Sequence, residues 1–187
     1  MAIIKREDRG NRDAVMAAVK ADGISIIYAD DNLKKDPKIV LAAVQENGNA
    51  LEYVPKEFQK NKNIVLEAVK NDGMALMFAD KTMQADKDVV LAAVKNQGYA
   101  LKFADENLRS VTNIVTEAVK SNGFAIQFAS PELQSNIEIA KLAVERNRGA
   151  IEFLNPELQK VLNRNLQEQT KGWGARTGNS KSHGIAD

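Results

Sequence analysis

The chain contains no cysteine and only one histidine among its 187 residues. The missing thiols exclude disulfides and cysteine chemistry, and a single histidine makes a transition-metal site improbable. A Ser/His/Asp catalytic set cannot be assembled convincingly either, because His183 lies close to the C-terminus in a segment that looks unstructured. We therefore expect no catalytic residue, no metal and no cofactor, and a protein that is not an enzyme.

An excess of one charge and a long apolar run are also missing. Basic and acidic residues number 26 and 25, a formal net charge of +1, and this balance disfavours a nucleic-acid partner. No apolar stretch approaches the roughly 20 residues that span a bilayer, and residues 1–12 lack the apolar core of a signal peptide. We expect no membrane association and a cytoplasmic location, in the protein's own cell or in a host, with virion association left open.

Glycine recurs every 25 residues, and we call these five positions the frame glycines: Gly23, Gly48, Gly73, Gly98 and Gly123. An Ala-Val pair keeps the same register six times, with its alanine at Ala18, Ala43, Ala68, Ala93, Ala118 and Ala143. An aromatic residue follows each turn, at Tyr28, Tyr53, Phe78, Phe103, Phe128 and Phe153. A fixed period of this length indicates stacked copies of one small unit.

Residues 36–53 illustrate the unit. Asp36 is a good N-cap and Pro37 a good first helical residue. The apolar residues of 39–44 fall at helical spacing, and Gly48 is expected to end the helix in the left-handed conformation. A shorter second helix is expected over about 49–54, burying Leu51 and Tyr53, and a further turn follows it.

The predicted fold is an all-α solenoid of six 25-residue two-helix repeats, with a C-terminal capping helix and an extended tail. We divide the chain into a lead-in at 1–12, a helical-repeat domain with its end cap at 13–169, and a Gly/Ser/Lys-rich tail at 170–187. Arg148 replaces the glycine in the sixth copy and Lys141 replaces a leucine. Both changes are expected of an end repeat whose outer side faces water.

The phrases around Gly48 and Gly98, IVLAAVxxNGxALxYA and VVLAAVxxxGxALxFAD, resemble the bacterial and viral repeat family called domain of unknown function 4116. The resemblance covers about residues 13–160. It implies a helical-repeat module and a phage, viral or effector context. It carries no activity and no catalytic residue over to this chain, and Arg148 departs from the pattern.

Two positions on the short helix vary from copy to copy while the frame stays constant, and residues three apart share a helix face. The pairs are Ile24/Ile27, Asn49/Glu52, Met74/Met77, Tyr99/Lys102, Phe124/Gln127 and Gly149/Glu152. Variable side chains on a regular surface are how solenoids recognise partners. The alternative is that these residues pack between repeats. The partner-binding candidates are Ile24, Ile27, Met74, Met77, Tyr99, Lys102, Phe124, Gln127, Trp173 and Arg176.

The tail holds the sole tryptophan, Trp173, and cations that include Arg176. It is predicted to be either a flexible terminus or an arm that anchors to an acidic surface. Gly172 to Gly178 lack the strand and helix of a phosphate-binding loop. The pairs Asp30/Asp36 and Asp80/Asp86 are interpreted as helix caps, because their spacing lacks the ligand density of a calcium loop.

The leading hypothesis is a non-enzymatic scaffold for protein–protein interaction. The context considered with it is a phage, viral or effector protein that binds or inhibits a host protein. The alternative is a structural, self-assembling component, such as a minor virion protein, anchored through its tail. An enzyme or small-ligand binder would need a deep pocket with convergent polar groups. Nucleic-acid binding, the remotest option, would show a steep dependence on salt.

Overall fold

The structure is a computed structural model that describes residues 4–165. Within that range all regular elements are helical, and the predicted solenoid of six repeats is confirmed. Each repeat contains a ten-residue α-helix, a six-residue 3-10 helix and, in most repeats, a four-residue α-helix. The second helix of the predicted unit is therefore a 3-10 helix, and the expected further turn is a short helix of its own.

The long helices are Arg12–Ala21, Pro37–Glu46, Lys62–Asn71, Lys87–Asn96, Thr112–Ser121 and Ile137–Arg146. The 3-10 helices are Gly23–Tyr28, Gly48–Tyr53, Gly73–Phe78, Gly98–Phe103, Gly123–Phe128 and Arg148–Phe153. The short helices are Asp31–Lys34, Lys56–Gln59, Lys81–Gln84 and Pro131–Gln134. A 3-10 turn, Leu108–Ser110, takes the place of the short helix in the fourth repeat. The capping helix covers 156–165.

The repeats stack in single file. Each long helix packs on the long helices of adjacent repeats, and each 3-10 helix packs on its neighbours in the 3-10 row. Each 3-10 helix also contacts the long helix of its own repeat and of the next one. The core lies between these two rows and consists of Ala, Val, Ile and Leu side chains such as Val40, Ala43 and Leu51, which are fully buried. Cohesion is thus shared between neighbouring repeats.

Asparagine and aspartate set the ends of the long helices. Asn11, Asp36, Asn61, Asp86 and Asn136 accept hydrogen bonds from backbone N–H groups in the first turn. Each long helix ends where one residue becomes extended, as at Asn47 with φ −145° and ψ 111°. The side chain of Asn47 then accepts a hydrogen bond from the Asn49 N–H and so begins the 3-10 helix.

The frame glycines do not adopt the left-handed conformation expected from the sequence. None has a positive φ, and each begins a 3-10 helix. Glycine is required because the next repeat approaches too closely for a side chain. A Cβ on Gly73 would lie 2.5 Å from the Ala93 carbonyl oxygen, and at the other four frame glycines the corresponding separation is shorter still. The glycine is therefore a contact between repeats rather than a helix terminator.

Within residues 4–165 the first and last repeats each pack against a full repeat on one side alone, and their residues reflect it. Arg148, at the register of the frame glycines, is exposed, as expected of an end repeat. Ala18 is only half-buried, whereas the five alanines at its register are fully buried. Before the first repeat, residues 4–11 continue the register backwards: the 3-10 turn Arg6–Asp8 occupies the short-helix position and Ile4 is buried.

Side-chain amides join consecutive repeats next to the frame glycines. Asn71 Oδ1 accepts a 2.8 Å hydrogen bond from the Gly48 N–H, and its Nδ2 donates to the Gln45 and Glu46 carbonyls. Asn96 repeats the arrangement one repeat later, accepting from the Gly73 N–H at 2.9 Å. Ser121 Oγ accepts from the Gly98 N–H at 2.9 Å. These bonds satisfy backbone groups that the helix termini leave free.

The row of short helices has its own link between repeats. The backbone N–H of Asp80 donates to the Gln59 carbonyl of the preceding repeat at 3.0 Å. Asp30, Asp105 and Ser130 donate in the same way to the preceding repeat or lead-in. Pro55 holds this register between the first and second repeats, and because proline has no N–H the bond cannot form there.

Gly73→Ala is expected to lower the free energy of unfolding by roughly 1–3 kcal/mol, because the new methyl group overlaps the Ala93 carbonyl and forces the repeats apart. Arg148→Ala places the same methyl group at the same register without a repeat against it, and its cost should stay within about 0.5 kcal/mol. Urea unfolding followed by circular dichroism measures both. Equal costs for the two variants would contradict the close-approach argument.

Asn96→Ala removes the acceptor of the Gly73 N–H and the donor to the Lys70 carbonyl, so stability should fall by roughly 1–3 kcal/mol. Asn96→Ser should recover part of the loss, because Ser121 accepts the equivalent bond in the fifth repeat. Urea midpoints of the three proteins provide the test. A serine variant no more stable than the alanine variant would show that the acceptor is unimportant.

Candidate functional site

The six 3-10 helices form one continuous surface, which we call the 3-10 face. The second variable position of each pair points outward on this face in four repeats, where Glu52, Met77, Lys102 and Glu152 are exposed. Ile27 and Gln127 hold the same register and are half-buried. Gln127 donates through its side chain to the Phe124 carbonyl at 2.9 Å.

The first variable position takes part in the joint between repeats. The Tyr99 ring meets the Phe128 ring of the next repeat edge-on, with centroids 4.8 Å apart. Phe124 meets Phe153 in the same way at 6.2 Å. Gly149 leaves room for the Phe124 ring, since a Cβ there would lie 3.2 Å from it. Packing between repeats thus accounts for much of the variation at this position.

Ile24, Met74 and Phe124 are accordingly half-buried, and Ile24 and Phe124 pack against the core. Tyr99 remains 37% exposed despite its contact with Phe128. The structure therefore brings the eight candidates of the repeat domain onto one face but divides them into joint residues and outward residues. Trp173 and Arg176, with the rest of the tail, lie outside the described residues.

The exposed large apolar side chains are concentrated on the 3-10 face. Within residues 4–165 they are Tyr53, Met77, Tyr99, Phe153 and Val161, and all but Val161 belong to 3-10 helices. Tyr53 was expected to be buried beside Leu51, and that expectation is wrong: Leu51 is fully buried, whereas Tyr53 is 39% exposed. The sequence analysis did not predict that Phe153 is a surface residue either. Tyr53 and Phe153 both belong to the constant aromatic register rather than to the variable pairs.

A crevice recurs at the same register along the edge between the 3-10 row and the short-helix row. At the joint of the first and second repeats it measures about 370 Å³ and is lined by Asp31, Lys34, Glu52 and Tyr53, among others. At the joint of the third and fourth repeats it measures about 420 Å³, with Met77, Lys81, Lys102, Phe103 and Arg109 in its lining. The joint of the fourth and fifth repeats has a smaller one of about 260 Å³.

Glutamines close the inner side of these joints. Gln84 is buried, donates to the Leu76 carbonyl at 3.0 Å and accepts from Lys81 Nζ at 2.9 Å. Gln59, Gln134 and Gln159 make similar bonds to carbonyls of their own repeats. Arginine replaces glutamine at this register in Arg9 and Arg109, and in both the Nε atom is buried without a hydrogen-bond partner.

The aspartates that could suggest calcium serve as caps. Asp36, Asp80 and Asp86 accept backbone hydrogen bonds at helix starts, while Asp30 makes no such bond through its side chain. Residues 4–165 contain no group of three or more acidic or histidine side chains able to hold a metal ion. In the same range no helix has the length and apolar character needed to cross a membrane.

Residues 11–59, 61–109 and 113–159 match the family described as "Domain of unknown function (DUF4116)". The chain belongs to this family. Each matched segment covers two of the 25-residue repeats, so the family's own unit corresponds to a pair of repeats. No curated protein and no solved structure was found to match the chain. The family assignment confirms the resemblance seen in the repeat phrases and carries no activity with it.

Capping hydrogen bonds should make this repeat domain sensitive to acid. The Thr82 N–H and hydroxyl hold the pKa of Asp80 below its ordinary value. Burial raises the pKa of Asp86, but Lys62 and the N–H groups of Val89 and Asp88 more than offset it, so the net pKa is lowered. A lowered folded-state pKa contributes stability above the unfolded value of about 4, and this stability is lost as the pH falls through the folded value.

Unfolding midpoints in urea should therefore change little between about pH 7 and pH 5 and fall steeply below about pH 4. A double variant, Asp80→Asn/Asp86→Asn, keeps an N-cap acceptor at both helices and should show a shallower fall. If the double variant and the unaltered protein lose stability in parallel, these two carboxylates do not cause the acid response.

Proposed function

We propose that the protein is a non-enzymatic scaffold that binds a protein partner through the 3-10 face. The observation that supports this is the placement of exposed apolar side chains: Tyr53, Met77, Tyr99 and Phe153 all lie on this face. Exposed aromatic and methionine side chains are enriched at protein–protein interfaces and depleted elsewhere on a surface. The other row-forming elements present mainly charged and amide groups to solvent.

The regular stacking of the 3-10 helices supports the same proposal. Each outward residue is held on a 3-10 helix that its neighbours fix on both sides, so the surface is pre-organised and loses little freedom on binding. Residues such as Glu52, Met77 and Lys102 occupy one register with different chemistry. A partner that lay along the face would meet a different side chain at each repeat, which is the basis of recognition by solenoids.

Self-assembly through stacked ends has less support. A second copy that continued the stack would bring its first long helix against Arg148, at a register where the internal joints tolerate only glycine. We therefore propose that the partner binds the 3-10 face and not the end of the repeat stack. The proposal also includes a cytoplasmic location, in the protein's own cell or a host, and a role in a phage, virus or effector system.

The experiment compares proteins captured from native cells by the full chain and by two single variants. Tyr99→Glu places a carboxylate on the 3-10 face, where Tyr99 is 37% exposed. Asn113→Glu places the same group on the exposed side of a long helix and serves as the matched control. We expect the control to capture the same partner as the unaltered chain and Tyr99→Glu to lose it at least about tenfold.

Circular dichroism of both variants verifies that the helices are intact. Phe124→Glu is unsuitable for this purpose, because Phe124 packs against the core and a loss of binding could reflect unfolding. Capture of the same partner by Tyr99→Glu and by the unaltered chain would refute the proposal. So would a partner that is lost only from Asn113→Glu.

A further inference from the structure

The crevice between the third and fourth repeats differs in charge from its counterparts. Lys81 and Lys102 line it, whereas Asp31 and Glu52 hold the same two registers in the crevice between the first and second repeats. Between the fourth and fifth repeats the first of these registers is Glu106. Among the three crevices, this one alone has lysine at these registers.

The cations of this crevice have no ionic partner in the described residues. Lys81, Lys102 and Arg109 form no ion pair there within 4.0 Å, although nine other ion pairs are formed. Lys81 donates to the Gln84 side chain, and Lys102 lies 5.9 Å from the centre of the Phe103 ring. The buried Nε of Arg109 has no hydrogen-bond partner. None of the three cations therefore has a carboxylate partner within the described residues.

Two acidic residues share the crevice but leave it cationic. Asp105 accepts hydrogen bonds from the N–H and the side-chain amide of Asn107, both at its Oδ1 atom. Glu106 is exposed. With three cations against these two carboxylates the lining has a net charge of +1.

Apolar groups stand beside the cations. Met77 is 46% exposed, and Phe103 is half-buried with its ring at the wall. An inorganic anion would contact the cations and leave this apolar surface exposed to water. A carboxylate attached to an apolar chain would contact the cations and also cover the apolar surface, because burial of apolar surface adds to the ionic contacts.

We propose that this crevice binds an acidic peptide segment of the partner, with a carboxylate among Lys81, Lys102 and Arg109 and a neighbouring apolar side chain over Met77 and Phe103. The inference rests on the proposed function and specifies the chemistry of the partner. It also favours this crevice over the one between the first and second repeats, which has carboxylates at the same two registers and two lysines, Lys34 and Lys35, that only balance them.

The probe is an acetylated and amidated hexapeptide, Glu-Leu-Glu-Phe-Glu-Leu, with a fluorescent label. The control peptide has the same sequence with Gln in place of each Glu. Binding to the full chain is followed by fluorescence anisotropy at low salt, where exposed ionic contacts are least screened. We expect the acidic peptide to bind at least about tenfold more tightly than the Gln peptide.

The repeat frame supplies a reciprocal pair of variants. Lys81→Asp/Lys102→Glu gives this crevice the residue types found between the first and second repeats, and should weaken acidic-peptide binding about tenfold. Asp31→Lys/Glu52→Lys gives the other crevice the lysines and should strengthen binding. All four side chains are exposed, but Lys81→Asp removes the donor to the buried Gln84 side chain, so circular dichroism and urea unfolding verify that each variant is folded.

Equal binding of the two peptides, or binding unchanged by Lys81→Asp/Lys102→Glu, would overturn the inference. Inorganic phosphate that bound in a Lys81- and Lys102-dependent way while the acidic peptide did not would overturn it too, in favour of a simple anion site. In the capture experiment, a partner retained by Lys81→Asp/Lys102→Glu but lost by Tyr99→Glu would refute the crevice and leave the 3-10 face standing.

Discussion

The close approach of each frame glycine to the alanine carbonyl of the next repeat is the constraint on which the structure depends. It fixes how near the 3-10 row lies to the long helices, and so how tightly Ala and Val of the core can pack. It also explains the end of the array. Arg148 is tolerated because no repeat in residues 4–165 covers its position, and its side chain would obstruct another copy at that position.

The period of 25 residues could be read from the sequence because the constraint acts at a single backbone position, and only glycine satisfies it. The reason for the glycine could not be read in the same way. A glycine after a helix has a familiar explanation in the left-handed conformation, and the contact that actually requires Gly73 comes from Ala93, twenty residues further along the chain. Local sequence signals located the glycine position, but only the packing of two repeats shows why the residue there must be glycine.

The site illustrates the same limit. Variation at Tyr99 and Phe124 suggested a recognition surface, but part of it compensates for rings across the joint, as with Phe124 and Gly149. Conversely, Tyr53 and Phe153 looked like frame residues and are exposed. A pattern of constant and variable positions separates structural residues from binding residues only when each side chain's neighbours come from its own repeat. Here neighbours also come from the next repeat, as Phe128 does for Tyr99.

Charge at the crevices is more informative than variation alone, because solvent-exposed positions have no packing reason to change sign. Asp31 and Lys81 hold one register, as do Glu52 and Lys102, and all are exposed. The repeat frame allows a comparison at matched registers: an aromatic residue flanks both crevices, Tyr53 in one and Phe103 in the other, while the charge at two registers reverses. If the reversal had arisen without a partner, the cations of the third and fourth repeats would be expected to form ion pairs, as Lys62 does with Asp86 and Asp88. Within the described part of the chain they form none, although Asp105 and Glu106 line the same crevice, and a carboxylate from a partner would supply the missing ion pair.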